Sequence, residues 1–309
     1  MNHQHTQTLS GAQLLEAIAS NTDLSTLVNA NLDSCGLTVF PSEILKLTHL
    51  MVLSLYDNKL TELPGEISQL QSLQTLNIAQ NLLATVPSSI GRLERLEMLD
   101  LGHNRLSVLP EALDALTNLV FLYVSYNQLN SLPSSIAALS RLRYLNITDN
   151  YFLELPDWIG RLSSLIELRI YGNALANLTA GIGALSNLVE LHANQNQLSK
   201  LPESIGHLTS LTKLNLQANR LTELPESIGN LTNLTELNLR FNNIATLPSG
   251  IAHLRSLETL DLRANALTAI PENLHELKNL RKVDLRWNRL STYPHCLSEL
   301  ESRGCIVYT

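Results

Sequence analysis

The sequence contains few cysteines, aromatic residues and charges. Only 3 of its 309 residues are Cys, 5% are aromatic and 16% are charged. Three cysteines far apart in the chain do not form a disulfide framework, and they favour a reducing, cytoplasmic location. With 44% hydrophobic residues and so few charges, this composition excludes an intrinsically disordered chain.

The sequence also lacks the usual signals of membrane and nucleic-acid proteins. No apolar run approaches the roughly 18 residues that a membrane-spanning helix needs. The first 20 residues have no basic segment followed by an apolar one, as a secretory signal would. The net charge of −7 disfavours a general nucleic-acid binder. We therefore expect no membrane insertion and no nucleic-acid partner.

What is abundant is leucine, with 69 residues, and it recurs with a fixed period. Leu27 opens the first of twelve repeats of 23 residues, which follow one another without insertion to residue 302. If that Leu is position 1, position 15 holds all 11 prolines and position 21 is always Leu. Position 9 is Asn in all repeats but the first, where it is Cys35. These asparagines are Asn58, Asn81, Asn104, Asn127, Asn150, Asn173, Asn196, Asn219, Asn242, Asn265 and Asn288.

The period predicts a local structure for each repeat. Apolar residues at positions 4 and 6 alternate with variable ones, as in a short, half-buried strand. Positions 15 to 24 read Pro-x-x-Ile-x-x-Leu-x-x-Leu, which indicates a helical turn with Pro at its first position. One repeat buries its leucines only against its neighbours. The Asn at position 9 is expected to bond its own turn and the next repeat, forming a structural ladder.

The pattern L-x-x-L-x-L-x-x-N-x-L-x-x-L-P-x-x-I-x-x-L-x-x resembles the leucine-rich repeat. The 23-residue form is similar to that of intracellular animal and plant proteins related to Ras-binding repeat proteins, and of many bacterial proteins. The resemblance implies an α/β solenoid, a horseshoe with a concave parallel β-sheet and convex short helices or 3-10 turns. We expect a disordered tail over residues 1–8, a helical cap over 9–26, the repeats over 27–302 and a capping strand over 303–309.

Few residues suggest catalysis or metal binding. Cys35, Cys296 and Cys305 have no His–acid arrangement near them in the sequence, and no phosphate-binding loop is present. His207 and His253 share position 20 but are two repeats apart, too far for one zinc ion. We expect no enzyme activity, no metal and no cofactor.

Function is expected where the repeat varies. Positions 3, 5 and 7 point away from the leucine core onto the concave face, and exposed aromatic side chains there are favoured interface anchors. The alternative is that these rings stack across adjacent strands and only stabilise the sheet. The predicted partner-binding residues of this zone and its following loops are Tyr56, Met98, Phe121, Tyr123, Tyr126, Tyr144 and Tyr171.

Repeats nine to twelve carry charges instead. Arg240, Arg263 and Arg286 share position 7, and Asp261 and Asp284 come two residues before the last two. These charges either pair with each other as a structural patch or recognise an acidic or carboxylate-bearing partner. The predicted partner-binding residues therefore also include the three arginines, and Arg169 and His192, which lie between the two zones.

The seventh repeat departs from the pattern. Thr179 replaces its proline, and Ala193 follows where a large core residue is expected. A missing large side chain destabilises a core unless its neighbours collapse. The sequence therefore predicts the weakest junction near residues 172–195.

The leading interpretation is a non-catalytic protein–protein interaction scaffold, a monomer or weak dimer, that binds a partner protein on its concave face. The alternative is a bacterial effector or ubiquitin-ligase adaptor that is exported into a host cell by a non-classical route and recognises its target through the repeats. A hidden enzyme would need a pocket that the repeat pattern does not supply.

Overall fold

The computed structural model describes residues 11–20 and 22–309. The tail expected over residues 1–8 lies outside the described residues. The chain divides into two compact units, which we call the N-terminal body, ending at Asn150, and the C-terminal body, from Tyr151 to Thr309.

Each repeat contributes one three-residue strand at positions 3 to 5. The N-terminal body begins with helix α1 (Gly11–Ala19) and contains β1 (Asn29–Asn31), β2 (Val52–Ser54), β3 (Thr75–Asn77), β4 (Met98–Asp100), β5 (Phe121–Tyr123) and β6 (Tyr144–Asn146). The C-terminal body contains β7 (Glu167–Arg169), β8 (Glu190–His192), β9 (Lys213–Asn215), β10 (Glu236–Asn238), β11 (Thr259–Asp261), β12 (Lys282–Asp284), helix α2 (His295–Ser302) and β13 (Ile306–Tyr308). The expected fold class, a solenoid of parallel strands and short helices, is confirmed.

The return segment of eleven repeats is a 3-10 helix. In the N-terminal body these helices are Ser42–Lys46, Gly65–Gln69, Ser88–Arg92, Glu111–Ala115 and Ser134–Ala138. In the C-terminal body they are Asp157–Arg161, Ala180–Ala184, Glu203–His207, Glu226–Asn230, Ser249–His253 and Glu272–Glu276. In ten of these eleven helices the proline is the residue before the helix and not its first residue, a correction to the sequence expectation. Its extended ψ, 146° at Pro64 for example, keeps it outside the helix.

Parallel pairing follows the sequence period within each body. Asp100 pairs with Tyr123, and Asn238 with Asp261, each 23 residues further along the chain. The last pairing has a spacing of 24, because Lys282 pairs with Ile306. An α-helix replaces the 3-10 helix in this last segment, and Gly304 with φ +88° turns the chain into β13.

The core is made of the positions that are apolar in nearly every repeat. Leu99, Leu122 and Leu145 at position 4 are 0–1% exposed, and so are nearly all leucines at positions 1 and 6. Truncating one of these side chains to Ala should destabilise the fold by about 2–5 kcal/mol. Stacked leucine layers therefore hold each strand in place and decide which side chains face outward.

The asparagines at position 9 join successive repeats. The Asn127 Nδ2 donates to the carbonyls of Val124, at 3.1 Å in its own turn, and Leu101, at 3.0 Å in the preceding repeat. Its Oδ1 accepts a hydrogen bond from the Leu106 N–H, also in the preceding repeat. The side chains thus reach backwards and not to the next repeat as expected. In-register parallel strands place the unpaired carbonyl of the preceding turn beside each amide.

The seventh repeat keeps the backbone of the others without proline. Thr179 has φ −67° and ψ 151°, and its hydroxyl accepts a hydrogen bond from Gly181 N–H. Ala193 is fully buried in the position of a larger side chain. Among the described residues, no helix has the length and apolar character needed to cross a membrane.

Candidate functional site

The variable side chains form one outward surface in each body, which we call the strand face. It consists of positions 3, 5 and 7 and of position 8, where the chain turns out of the strand. Position 8 has a left-handed backbone in every repeat, with φ between 51° and 64° in the eleven that are not glycine, and +66° at Gly172. The left-handed turn was not foreseen, and it points a further column of side chains towards solvent.

Three aromatic residues of the N-terminal strand face form a cluster on β5 and β6. The Phe121 and Tyr144 rings are stacked, with centroids 4.6 Å apart and planes 8° from parallel. The Tyr123 ring is tilted by 48° against Phe121 at 6.2 Å. All three rings are partly exposed. The rings therefore stack across adjacent strands, and the stack still leaves part of their apolar surface in contact with water.

The other predicted anchors belong to four further places on the strand faces. Tyr56, 37% exposed, lies on the second repeat. Tyr126 occupies position 8 and stacks on His103, with centroids 4.1 Å apart. Met98 is partly buried on β4, and Tyr171 belongs to the C-terminal body, where it is partly buried. The sequence signal for aromatic residues thus did not show which of these rings stack on one another.

Asp100 lies beside the aromatic cluster, opposite Tyr123 in the strand pairing. Its carboxylate accepts a hydrogen bond from the Gly102 N–H at 2.9 Å. Burial raises the pKa of the Asp100 carboxyl, although this bond and nearby His103 act in the opposite direction. The sequence analysis did not single out this residue, and a carboxylate next to aromatic positions was the available signal.

The first charged group of the C-terminal strand face is a network on β7, β8 and β9. Arg169 pairs with Glu167, His192 Nε2 lies 3.1 Å from Glu190 Oε2, and Lys213 Nζ lies 3.0 Å from Glu190 Oε1. Burial raises the pKa of Glu190, but hydrogen bonds from Lys213 and His192 leave it below the ordinary value. Arg169 and His192 are thus engaged with neighbouring carboxylates.

Within the described parts of the chain, this network also holds the only group with metal-ligand spacing. Ligand atoms of Glu167, Glu190 and His192 lie within 4.8 Å of one another. Arg169 and Lys213 already neutralise the two carboxylates, so a cation would have to compete with both. The arrangement is accounted for as an ion-pair network.

The second charged group joins two of the three predicted arginines to aspartates. Arg263 Nε lies 3.0 Å from Asp261 Oδ1 and 3.4 Å from Asp284 Oδ2. Arg286 donates to both Asp284 oxygens, at 3.0 and 2.7 Å. Burial raises the pKa of Asp284, but the Arg286 hydrogen bond and both guanidinium charges hold it below the ordinary value. The pairing alternative is therefore the one that this structure contains.

Arg240 differs from the other two arginines. Asn238 stands where they have an aspartate, and no described residue forms an ion pair with the Arg240 guanidinium. Its Nε is buried without a hydrogen-bond partner among the described atoms. Of the predicted arginine column, Arg240 is the one whose charge remains available.

Exposed aromatic residues near the end of the C-terminal body were missed by the sequence analysis. Phe241 and Trp287, both at position 8, are 49% and 67% exposed. The Arg286 guanidinium lies 4.8 Å from the centre of the Tyr308 ring and 5.9 Å from that of Trp287. Apart from Tyr126, position 8 was not counted as part of the face, because its left-handed backbone is not visible in the repeat pattern.

The cysteines do not form a nucleophilic site. Burial raises the pKa of Cys296 to about 11, and burial also raises that of Cys305. Burial likewise raises the pKa of Cys35. Because the thiolate is the reactive form, raised pKa values make these thiols poor nucleophiles.

Comparisons with solved structures return repeat proteins. A leucine-rich repeat protein of Leptospira interrogans is 29% identical, with 96% of this chain and 98% of that chain covered and a TM-score of 0.51. The ectodomain of the Arabidopsis thaliana receptor kinase GASSHO1/SCHENGEN3, in complex with CASPARIAN STRIP INTEGRITY FACTOR 2, is 32% identical over 86% of this chain and 36% of that chain, with a TM-score of 0.68. The plant peptide hormone receptor RGFR1, in complex with RGF2, is 30% identical over 86% and 52%, with a TM-score of 0.61.

Comparison with curated proteins gives no significant match. The family model described as a leucine-rich repeat region matches residues 31–119, 126–214 and 191–302, which together span most of the chain. Members of this family generally mediate protein–protein recognition, and the fold is typically a scaffold without enzymatic activity. The repeat pattern, the parallel strands and this match lead to one conclusion: the chain belongs to the leucine-rich repeat family.

Proposed function

We propose that this protein is a non-catalytic recognition module that binds a partner protein on the strand face of its N-terminal body. The observation that carries the proposal is the partly exposed cluster of Phe121, Tyr123 and Tyr144. Three adjacent rings in water are costly unless a partner covers them, and aromatic residues dominate the energetics of protein interfaces. The rigid strands beneath them hold the rings in place before binding, which lowers the entropy cost of association.

The C-terminal strand face supports this assignment by contrast. Most of its carboxylates and cations already pair with each other, as in the pairs of Asp261 with Arg263 and Asp284 with Arg286. A partner would have to replace these pairs, so the affinity gained there is small. We assign Arg240 a secondary role as an electrostatic contact for an acidic group, because its guanidinium has no such competitor.

The experiment is an affinity capture with the full chain, followed by binding measurements with the purified partner. The double variant Tyr123→Ala/Tyr144→Ala should weaken binding at least a hundredfold, because each hot-spot ring contributes about 2 kcal/mol or more. Tyr151→Ala is the matched control, since Tyr151 is 63% exposed but lies on the loop after a strand. Unchanged affinity in the double variant, with a native circular dichroism spectrum, would refute the assignment.

Whether the protein meets its partner in the producing cell or in a host cell stays a prediction. The effector alternative requires export, and a translocation assay with a reporter fused to residues 1–25 measures it directly. Retention of the reporter in the producing cell would favour a resident cytoplasmic scaffold.

A further inference from the structure

The strand face of the N-terminal body has an asymmetric charge. Its positions 3, 5, 7 and 8 contain no Lys or Arg in six repeats, whereas the same positions of the C-terminal body contain six. The acidic residues of the N-terminal columns are Asp33, Asp57, Asp100 and Asp149. A surface with four carboxylates and no Lys or Arg at the same positions attracts positively charged ligands.

The carboxylates near the N-terminus of this face are stabilised by local donors. Asp33 accepts hydrogen bonds from the Ser54 hydroxyl and, at 2.9 Å, the Tyr56 N–H. Asp57 accepts one from the Ser34 hydroxyl at 2.7 Å. These contacts explain the two residues without any external ligand.

Asp100 differs from these two in its donors, because among the described residues its partly buried carboxylate accepts only the Gly102 N–H and no side-chain hydroxyl. Within the described part of the chain no Lys or Arg forms an ion pair with it. Burying a carboxylate without a cationic partner destabilises the free protein, and the raised pKa of this group has the same origin. A cation supplied by a ligand would remove that cost.

The aromatic cluster defines where such a cation would sit. The 4.6 Å separation of the stacked Phe121 and Tyr144 rings matches the spacing of adjacent strands, about 4.8 Å, so the rings stack along the row of strands. The other face of Phe121 is therefore turned towards β4, where Met98 is its direct pairing partner and Asp100 lies two residues further along the strand. Tyr123 lies directly opposite Asp100 in the pairing. A carboxylate beside aromatic faces is a favourable environment for a guanidinium or ammonium group.

We infer that the N-terminal strand face recognises a basic segment of the partner protein, with one Arg or Lys side chain held between the Asp100 carboxylate and the rings of Phe121 and Tyr123. The inference rests on the proposed function, since it names the chemistry of the partner at the same surface. Acidic or uncharged partners are the competing possibilities, and the test separates them.

The probe is a random 12-residue peptide library displayed on phage and selected on the immobilised full chain. Peptides whose binding is lost in the Tyr123→Ala/Tyr144→Ala variant should be enriched in Arg and Lys. A synthetic copy of one such peptide should bind about tenfold more weakly to Asp100→Asn, the scale of one desolvated cation contact. Asp57→Asn, which removes the same charge from the same face, should change the affinity less than twofold.

Replacing the key arginine of that peptide by citrulline keeps its shape and removes its charge. This change should weaken binding to the original protein about tenfold and leave binding to Asp100→Asn nearly unchanged, because the two groups form one contact. If the ring-dependent peptides are acidic or neutral, or Asp100→Asn binds them equally well, the inference is wrong and the proposed function stands. If no enriched peptide depends on the rings, both fail.

Discussion

The asparagine ladder permits a stability prediction that can be worked out from individual contacts. Asn127 is 7% exposed, and its amide donates to the carbonyls of Leu101, Val124 and Ser125 at 3.0–3.1 Å. Its oxygen accepts from the Leu106 N–H at 2.9 Å. The variant Asn127→Ala removes these four bonds together.

The magnitude depends on which of the freed groups find another partner. Leu101 and Val124 keep one amide donor each, because the neighbouring Asn104 and Asn150 also donate to them. The Leu106 N–H has no second acceptor of this kind, and a buried unpaired N–H costs about 1–3 kcal/mol. With about 1 kcal/mol for the weakened carbonyl interactions, Asn127→Ala should lower the free energy of unfolding by about 2–4 kcal/mol.

The assay is urea unfolding followed by circular dichroism, with amide hydrogen exchange at Leu106 as a local readout. Asn118→Ala is the matched control, because Asn118 also bonds the preceding repeat, through the Glu94 carbonyl at 2.8 Å, but is solvent-exposed. The control should lose less than about 1 kcal/mol. If Asn127→Ala loses no more than the control, the argument that the ladder satisfies buried backbone groups is refuted.

Three further predictions concern the C-terminal body. Thr179→Pro should raise the free energy of unfolding by about 0.4–1 kcal/mol, because the backbone already has a proline conformation; urea unfolding measures it. The stability difference between the original protein and Asp284→Asn should be largest at neutral pH. It should shrink below about pH 4, the ordinary carboxyl range, because a lowered folded-state pKa adds stability only where the group is ionised. Amides between residues 172 and 195 should exchange fastest among the central repeats, and Ala193→Val should slow them by filling the small buried position.

Each of these predictions has a contradictory outcome. A less stable Thr179→Pro variant would show that the threonine hydroxyl contributes more than the reduced freedom of the unfolded chain. A stability difference for Asp284→Asn that stays constant from pH 7 to pH 3 would exclude the ion pairs as its cause. Uniform exchange across the central repeats would contradict a weak junction near Ala193.

The backbone was largely predictable from the sequence, because one pattern is repeated twelve times. Alternating apolar residues identify the strands, and the fixed period predicts their parallel order, which Leu99 and Leu122 show as neighbouring, fully buried positions. The details that depend on local geometry were less predictable. Proline precedes ten of the eleven 3-10 helices without being part of them, and position 8 is left-handed in every repeat. Both features are set by the φ and ψ angles of single residues, which the apolar period does not specify.

The candidate site required the tertiary structure. The sequence by itself determined which side chains share the strand face, since the leucine core fixes their direction. It did not determine their partners, because residues on adjacent strands are about 5 Å apart and long side chains reach several neighbours. Only the folded chain shows that Arg263 and Arg286 are bound to aspartates, that Phe121 stacks on Tyr144, and that no Lys or Arg in residues 11–20 and 22–309 forms an ion pair with Asp100. Short distances between side chains thus decide which charges remain available to a partner. The sequence period does not specify these distances.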